Sequence, residues 1–460
     1  MKRNRIMIAA PSSGSGKTLI TCGLLHLLKK KGLHPVSMKC GPDFIDPMFH
    51  TRVIGVPGRN LDTFFTEPSV TRALLARNST SSDLVVMEGV MGYYDGLGFE
   101  NSKAGSSDLA EVTGTPVIFV VPARGMSRSV LPLIRGFLDY DREACIKGIL
   151  LNRVSPMVYP RMKEMIEREL GIPVLGFLPV MHDLHLESRH LGLVLPDEIK
   201  DLREGLDRLA EQMEQSVDLV KILEIAAAAP ELHADLLSIR QRFLPDTPLC
   251  RKDGSRLRVG VAEDEAFCFI YRDNLDLLEE MGAELVPFSP LHDAKLPEGL
   301  DAMILSGGYP ELYAESLAEN KRMRSDIRDV IQAGLPTIAE CGGFLYLHRT
   351  ITDPEGMEHP AVGIFPGTSR FTGSLGRFGY ITLKENSFFG VDVGGIRAHE
   401  FHYYESDDPG DAFLAVKPTG KRSWRCGYST ATLYAGFPHL YYYANPAAAG
   451  AFLAAASRKR

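Results

Sequence analysis

The chain holds a single tryptophan, and its seven cysteines are odd in number, scattered, and never spaced as C-x-x-C: Cys22, Cys40, Cys145, Cys250, Cys268, Cys341 and Cys426. That pattern excludes a disulfide framework and a cysteine zinc cluster, and predicts reduced cytosolic thiols. Positive charge is also short, with 51 Lys and Arg against 58 Asp and Glu and a net charge of −7. Without a broad positive field, nucleic acid and anionic membrane surfaces are not expected as partners. No apolar run approaches the roughly 18 to 20 residues of a membrane span; the longest, at 116–122, is strand-sized. The apolar stretch after Lys2, Arg3 and Arg5 stops at Pro11, too soon for a secretory signal, so a cytoplasmic protein is expected. Low-complexity tracts and fixed-period repeats are missing too, apart from an alanine-rich terminal helix pattern at 447–456.

What remains is the composition of an ordinary globular protein, 45% hydrophobic and 24% charged over 460 residues, enough for two or three cores. In the first half, apolar runs at 5–10, 84–87, 116–121, 146–152 and 172–177 alternate with helical patterns, which predicts buried strands of a parallel sheet. Amphipathic helix patterns follow at 197–215 and 216–229 and stop at Pro230. A Pro- and charge-rich stretch then reads as a linker, and a second α/β pattern begins: strands at 257–262, 284–288, 302–305 and 337–339, helices at 269–282 and 317–333. The expected organisation is a phosphate-binding domain at 1–230, a linker at 231–256 and a second domain at 257–460.

The strand at 6–10, then Pro11-Ser12-Ser13-Gly14-Ser15-Gly16-Lys17-Thr18, then an apolar helix through Leu28, form the strand, loop and helix of a nucleotide site. Gly14, Ser15 and Gly16 let backbone N–H groups wrap phosphates at the helix start, Lys17 reaches the outer phosphates, and Thr18 can hold Mg²⁺. Pro11 stands where the usual leading glycine would be. Glu88 ends the apolar run at 84–87, which places a carboxylate beside the loop and suits it to Mg²⁺. The segment 39–47, Lys-Cys-Gly-Pro-Asp-Phe-Ile-Asp-Pro, sets Asp43 and Asp46 in a turn, able to bind metal or position a substrate acid, or to serve only as turn-forming carboxylates.

In the second half, 336–345 reads as strand, tight turn and helix with Cys341 at the turn, where a helix N-terminus lowers a thiol pKa. Gly308, in the Gly-Gly turn of 305–311, and Gly342 are able to give backbone N–H groups to an oxyanion. A thiolate needs a base; His439 is one candidate, and His348, His399 and His402 compete with it on sequence alone. His182, His185 and His190, and the pair His399 and His402, lack the H-E-x-x-H spacing of a zinc site and read as polar contacts with substrate or interface.

Together these segments resemble the cobyrinic acid a,c-diamide synthase family, in the same order and over nearly the whole chain. The resemblance implies two doubly wound α/β domains: an ATP-dependent amidoligase similar to dethiobiotin synthetase, and a class I glutamine amidotransferase of the cobalamin-synthesis type. It implies that Cys341 is the glutaminase nucleophile and His439 its activator, and that Gly16, Lys17 and Thr18 hold ATP and Mg²⁺. It further implies Asp43 and Glu88 as metal carboxylates, Asp46 and Asp95 as members of the synthetase site, and Asn152 as an adenine reader. Many class I glutaminases carry a glutamate two residues after the histidine; here Tyr441 stands there, leaving the residue that orients His439 unassigned. The implied substrates are ATP, L-glutamine and cobyrinic acid, or a related tetrapyrrole such as hydrogenobyrinic acid, sirohaem or nickel sirohydrochlorin. Lys39, Arg59, Arg124, Arg128, Arg189 and Arg397 are candidate contacts for the substrate carboxylates. Two other classes stay open: a nucleotide switch with a degenerate amidotransferase-like domain, and a cysteine hydrolase fused to an ATPase. A homodimer is also left open.

Overall fold

The computed structural model describes residues 1–98, 100–141, 145–181, 196–385 and 387–458, which divide into two compact units, Met1–Leu236 and Leu237–Arg460. The stretch read as a linker contains a helix, Leu236–Phe243, and a backbone bridge between Cys250 and Arg256. Among the described residues, no helix is long and apolar enough to cross a membrane.

In the first unit, β1 (Arg5–Ala9), β2 (Pro35–Cys40), β3 (Gly58–Leu61), β4 (Leu84–Glu88), β5 (Val117–Pro122), β6 (Ile146–Asn152) and β7 (Val174–Leu178) make one seven-stranded sheet. The order is β3-β2-β4-β1-β5-β6-β7 with every neighbouring pair parallel. Strands such as Arg-Ile-Met-Ile-Ala and Leu-Val-Val-Met-Glu are buried along their whole length, as expected where helices cover both faces. The chain runs outward from β1 to β3 and returns at β4 before crossing to β5, so the carboxyl ends of β1 and β4 border the reversal where such sheets bind ligands.

Strands β2 and β3 were not among the expected strands, because Ser37, Lys39 and Asn60 interrupt the apolar pattern. The fold buries these polar side chains by pairing them: Ser37 with His50 Nδ1 at 2.7 Å, and the Asn60 amide with the Gly41 and Asp43 carbonyls at 3.0 and 2.6 Å.

The second unit is built on a six-stranded sheet containing β8 (Leu257–Ala262), β9 (Ala283–Phe288), β10 (Ala302–Leu305) and β11 (Thr337–Glu340). The strand Leu433–Gly436 lies parallel beside β11, and Tyr428–Ser429 closes the edge antiparallel. Between β11 and that late strand the chain forms a four-stranded sheet and four strands of a five-stranded one, completed by His439–Leu440, a region the sequence pattern did not organise. The helix expected at 317–333 is two helices, Ala314–Glu319 and Lys321–Gln332. Asn320 breaks it: its side chain caps the second helix at Met323 N and donates to the Pro290 and Asp293 carbonyls, which outweighs a continuous helix.

Candidate functional site

In the first unit the loop after β1 opens helix α1 (Lys17–Lys30), whose cap Gly16 sits at φ 96, a left-handed conformation glycine adopts without strain. No side chain fits there either, since a Cβ at Gly16 would run into the Asn152 amide. Asn152, at the end of β6, donates to the Ser15 carbonyl at 2.8 Å, so it braces the loop from behind. Lys17 Nζ donates to the Ser12 and Met91 carbonyls at 3.1 and 2.5 Å. Burial, then the nearby Lys39, brings its pKa down to about 8, while Glu88, Asp95 and Asp46 oppose the shift. Asp95 itself accepts from Gly92 N at 2.8 Å.

Thr18 Oγ1 donates to Glu88 Oε1 at 2.6 Å, joining the first turn of α1 to the tip of β4. Lys39, on β2 beside β4, reaches the same oxygen at 2.8 Å and Asp46 Oδ2 at 2.5 Å. Glu88 is fully buried, and its Oε2 makes no hydrogen bond, with His50 Nε2 3.9 Å away. Burial and then Asp46 push Glu88 up to about 7, and Lys39 opposes them; burial and then Asp46 likewise push Asp43 up. Burial and then Lys39 push His50 down to about 4, against Asp46. Asp43 Oδ1 accepts from the Ile45 and Asp46 amides at 2.7 and 3.2 Å, so part of its role is to build the turn. Thr18, Asp43, Asp46, Glu88 and Lys17 thus converge at one sheet edge. Lys39, named from sequence only as a substrate contact, is their central counter-charge. Arg128 pairs with Glu169 at 3.0 Å, and Arg189 lies outside the described residues.

In the second unit Cys341 stands between β11 and the helix Gly342–Tyr346 at φ 47, ψ −101, a strained backbone for a residue with a side chain. Its amide donates to the Gly436 carbonyl at 2.8 Å, locking the turn to the neighbouring strand. The glycines around it are forced by close approach: a Cβ on Gly342 would lie 2.9 Å from the Gly308 amide nitrogen, and one on Gly343 would strike the Leu305 carbonyl. Gly308 and Gly342 are therefore brought together beside the thiol.

Three residues past Gly436, His439 enters a short strand, His439–Leu440, paired with Ile396–Phe401 so that His399 lies opposite His439. The His439 ring is buried against Gly307, and its Nδ1 lies 3.7 Å from Glu340 Oε2. Burial disfavours the imidazolium, yet the Cys341 sulfur and then the Glu340 carboxylate raise His439 to about 10. Of the competing histidines, His348 hydrogen-bonds the Phe344 carbonyl and Ser406. Burial pushes His399 down to about 3 and His402 down to about 4. Tyr441 turns elsewhere, donating to Asp273 Oδ2 at 3.1 Å. Glu340 escaped the sequence reading, although it adjoins Cys341, because its partner is 99 positions away. His182, His185 and His190 lie outside the described residues.

One unit is thus a phosphate-loop α/β domain and the other an α/β domain with a thiol elbow. Family models agree: residues 6–194 match the CobQ/CobB/MinD/ParA nucleotide binding domain, and residues 258–445 match the CobB/CobQ-like glutamine amidotransferase domain. A cobyrinate a,c-diamide synthase from Listeria innocua is 39% identical over 96% of this chain and 97% of that protein. Its namesake from Salmonella typhimurium is 36% identical over 99% of both chains, and one from Caldanaerobacter subterraneus is 36% identical over 95% of both. This chain belongs to the cobyrinate a,c-diamide synthase family. Among solved structures, chloroplast FtsY from Physcomitrella patens covers 45% of this chain and 66% of its own at 14% identity and a TM-score of 0.30, which carries no argument.

Proposed function

We propose that this chain is a glutamine-hydrolysing ligase that uses ATP to convert the a and c acetate carboxylates of cobyrinic acid to amides. The observation that carries this reading is likeness over nearly the full length, through both units, to relatives named for that product. The same likeness disfavours a nucleotide switch or an unrelated hydrolase fusion.

A carboxylate is a poor acyl donor, so its oxygen attacks the γ-phosphorus of ATP, ADP leaves, and an acyl phosphate forms. Gly14, Ser15, Gly16 and Lys17 hold the phosphates; Lys17 adds positive charge where the transferring group gathers negative charge. The oxygen donors Thr18, Glu88 and Asp43 fit Mg²⁺, a hard ion that keeps several waters and phosphate oxygens and needs few protein ligands. When bound, Mg²⁺ supplies charge neutralisation on the phosphates. Lys39 and Asp46, already paired, set the position of Glu88 and face the substrate acid together with Asp95. Asn152 braces the loop and borders the nucleotide base.

At the other site the Cys341 thiolate attacks the glutamine amide carbon, with Gly308 and Gly342 N–H groups receiving the oxyanion. His439 takes the thiol proton and returns it to the departing nitrogen, so ammonia leaves and water releases glutamate from the thioester. Ammonia then attacks the acyl phosphate and inorganic phosphate departs.

The test is mass spectrometry of cobyrinic acid incubated with the protein, Mg·ATP and amide-labelled glutamine, beside a Cys341→Ala variant given free ammonia. Two labelled amides with the wild type, and amidation by the variant only with ammonia, are expected. Unmodified cobyrinic acid alongside continued glutamine hydrolysis would overturn the substrate and move the search to hydrogenobyrinic acid, sirohaem or nickel sirohydrochlorin.

A further inference from the structure

We propose that Glu340, the residue immediately before Cys341, is the positioning residue that orients His439, in the role that the glutamate absent at Tyr441 plays in other glutaminases. The inference rests on the reading of Cys341 as the glutaminase nucleophile. Glu340 Oε2 lies 3.7 Å from His439 Nδ1, and Glu340 Oε1 accepts the Leu440 amide at 3.3 Å. The carboxylate is thereby held against the ring and against the backbone one residue beyond it. Both partners are buried, with Glu340 7% and His439 1% exposed. The strand placement is fixed from below, since Glu340 pairs in register with Gly436, and Gly436 accepts the Cys341 amide.

The other titratable groups around this pair do not compete. Burial keeps His399, opposite His439, and His402 neutral. Tyr434 and Tyr442, which face Glu340, are pushed up by burial and then by that carboxylate, and stay as phenols. Tyr441 is committed to Asp273. The charges that count are therefore Glu340, His439 and the Cys341 sulfur. Burial pushes the Glu340 carboxyl up, and the His439 ring opposes that shift.

A carboxylate on the Nδ1 side favours the tautomer protonated there, which leaves Nε2 to take the thiol proton. It also stabilises the imidazolium once that proton arrives, and so the thiolate paired with it. The placement differs from a glutamate two residues after the histidine: here acid and nucleophile are sequence neighbours, delivered by one strand.

The experiment uses the full-length chain with Glu340→Gln, which keeps an acceptor for the Leu440 amide and removes the charge, and Glu340→Asp, which keeps the charge on a shorter arm. The rate of iodoacetamide alkylation at Cys341, read on its own peptide by mass spectrometry, is followed against pH. Glutamine kcat and KM are measured in parallel, with ammonia-driven amidation as the control for a folded protein. In Glu340→Gln, alkylation is expected to begin about one pH unit higher or more, with kcat about 10- to 100-fold lower and KM little changed. Glu340→Asp should recover part of both. An alkylation profile for Glu340→Gln that overlays the wild type would overturn the inference. If that variant does not fold, a Glu340→Ala profile identical to the wild type would overturn it instead. Glutamine hydrolysis that survives Cys341→Ala would sink the nucleophile reading itself, an outcome separate from either.

Discussion

Replacing Gly307 with alanine perturbs the Cys341 site without changing the chemistry of any reacting group. The Gly307 backbone tolerates a side chain, but a Cβ there would overlap His439 Cε1 and sit 3.3 Å from both His439 Nδ1 and Phe269 Cβ. Ordinary contact begins at 3.4 Å, so the ring must withdraw by about 1 Å. The ring cannot slide freely, because its strand is tied to Ile396–Phe401 and Glu340 stands on its Nδ1 side. A misplacement of that size costs a proton-transfer step about 100-fold, or about 2.7 kcal/mol of barrier. Overpacking adds about 1 to 3 kcal/mol of destabilisation to the second unit. The assay compares amidation driven by glutamine with amidation driven by ammonia in the same preparation. The expected result is a roughly 100-fold loss with glutamine and little with ammonia. Wild-type turnover with glutamine, or equal loss with both nitrogen donors, would refute the placement of His439 as the working histidine.

Three further outcomes test other parts of the structure. Glu400 is fully buried, neither of its oxygens makes a well-formed hydrogen bond, and burial pushes it from 4.5 up to about 7 against Arg377 and Lys417. Between those pH values the folded protein keeps a proton that the unfolded chain releases, so stability falls as pH rises, by up to about 3 kcal/mol; Glu400→Gln should flatten that slope in melting curves from pH 5 to 8. Arg5, also fully buried, donates to the carbonyls of Arg3, Thr113, Gly114 and Pro230. Arg5→Met strands those acceptors and should cost about 3 kcal/mol, lowering the melting temperature of the first unit by about 6 to 12 °C in calorimetry. Tyr441→Phe, which breaks the bond to Asp273, should leave glutamine kcat/KM within about twofold while costing about 1 kcal/mol of stability; a large kinetic loss would mean that Tyr441 reaches the His439 ring.

The sequence by itself determined the features whose causes are local. Strand, glycine loop and helix at 6–28 are legible because the phosphate cradle is made by consecutive residues, and Cys341 is legible because it stands at a strand-to-helix turn followed directly by Gly342 and Gly343. The α/β character of both halves followed from apolar runs long enough to be buried on two faces. Tertiary structure alone decided what depends on partners far along the chain. Strands β2 and β3 became strands because the fold supplied Glu88 and Asp46 for Lys39, His50 for Ser37, and the Gly41 and Asp43 carbonyls for Asn60, so polar residues that read as surface are buried with partners. Among the candidate histidines, His439 was set beside Cys341 by strand pairing, which no spacing between positions 341 and 439 encodes. Glu340 took its place opposite that ring for the same reason: the sequence writes which groups exist, whereas the distance between two charges exists only after the chain has closed its loops.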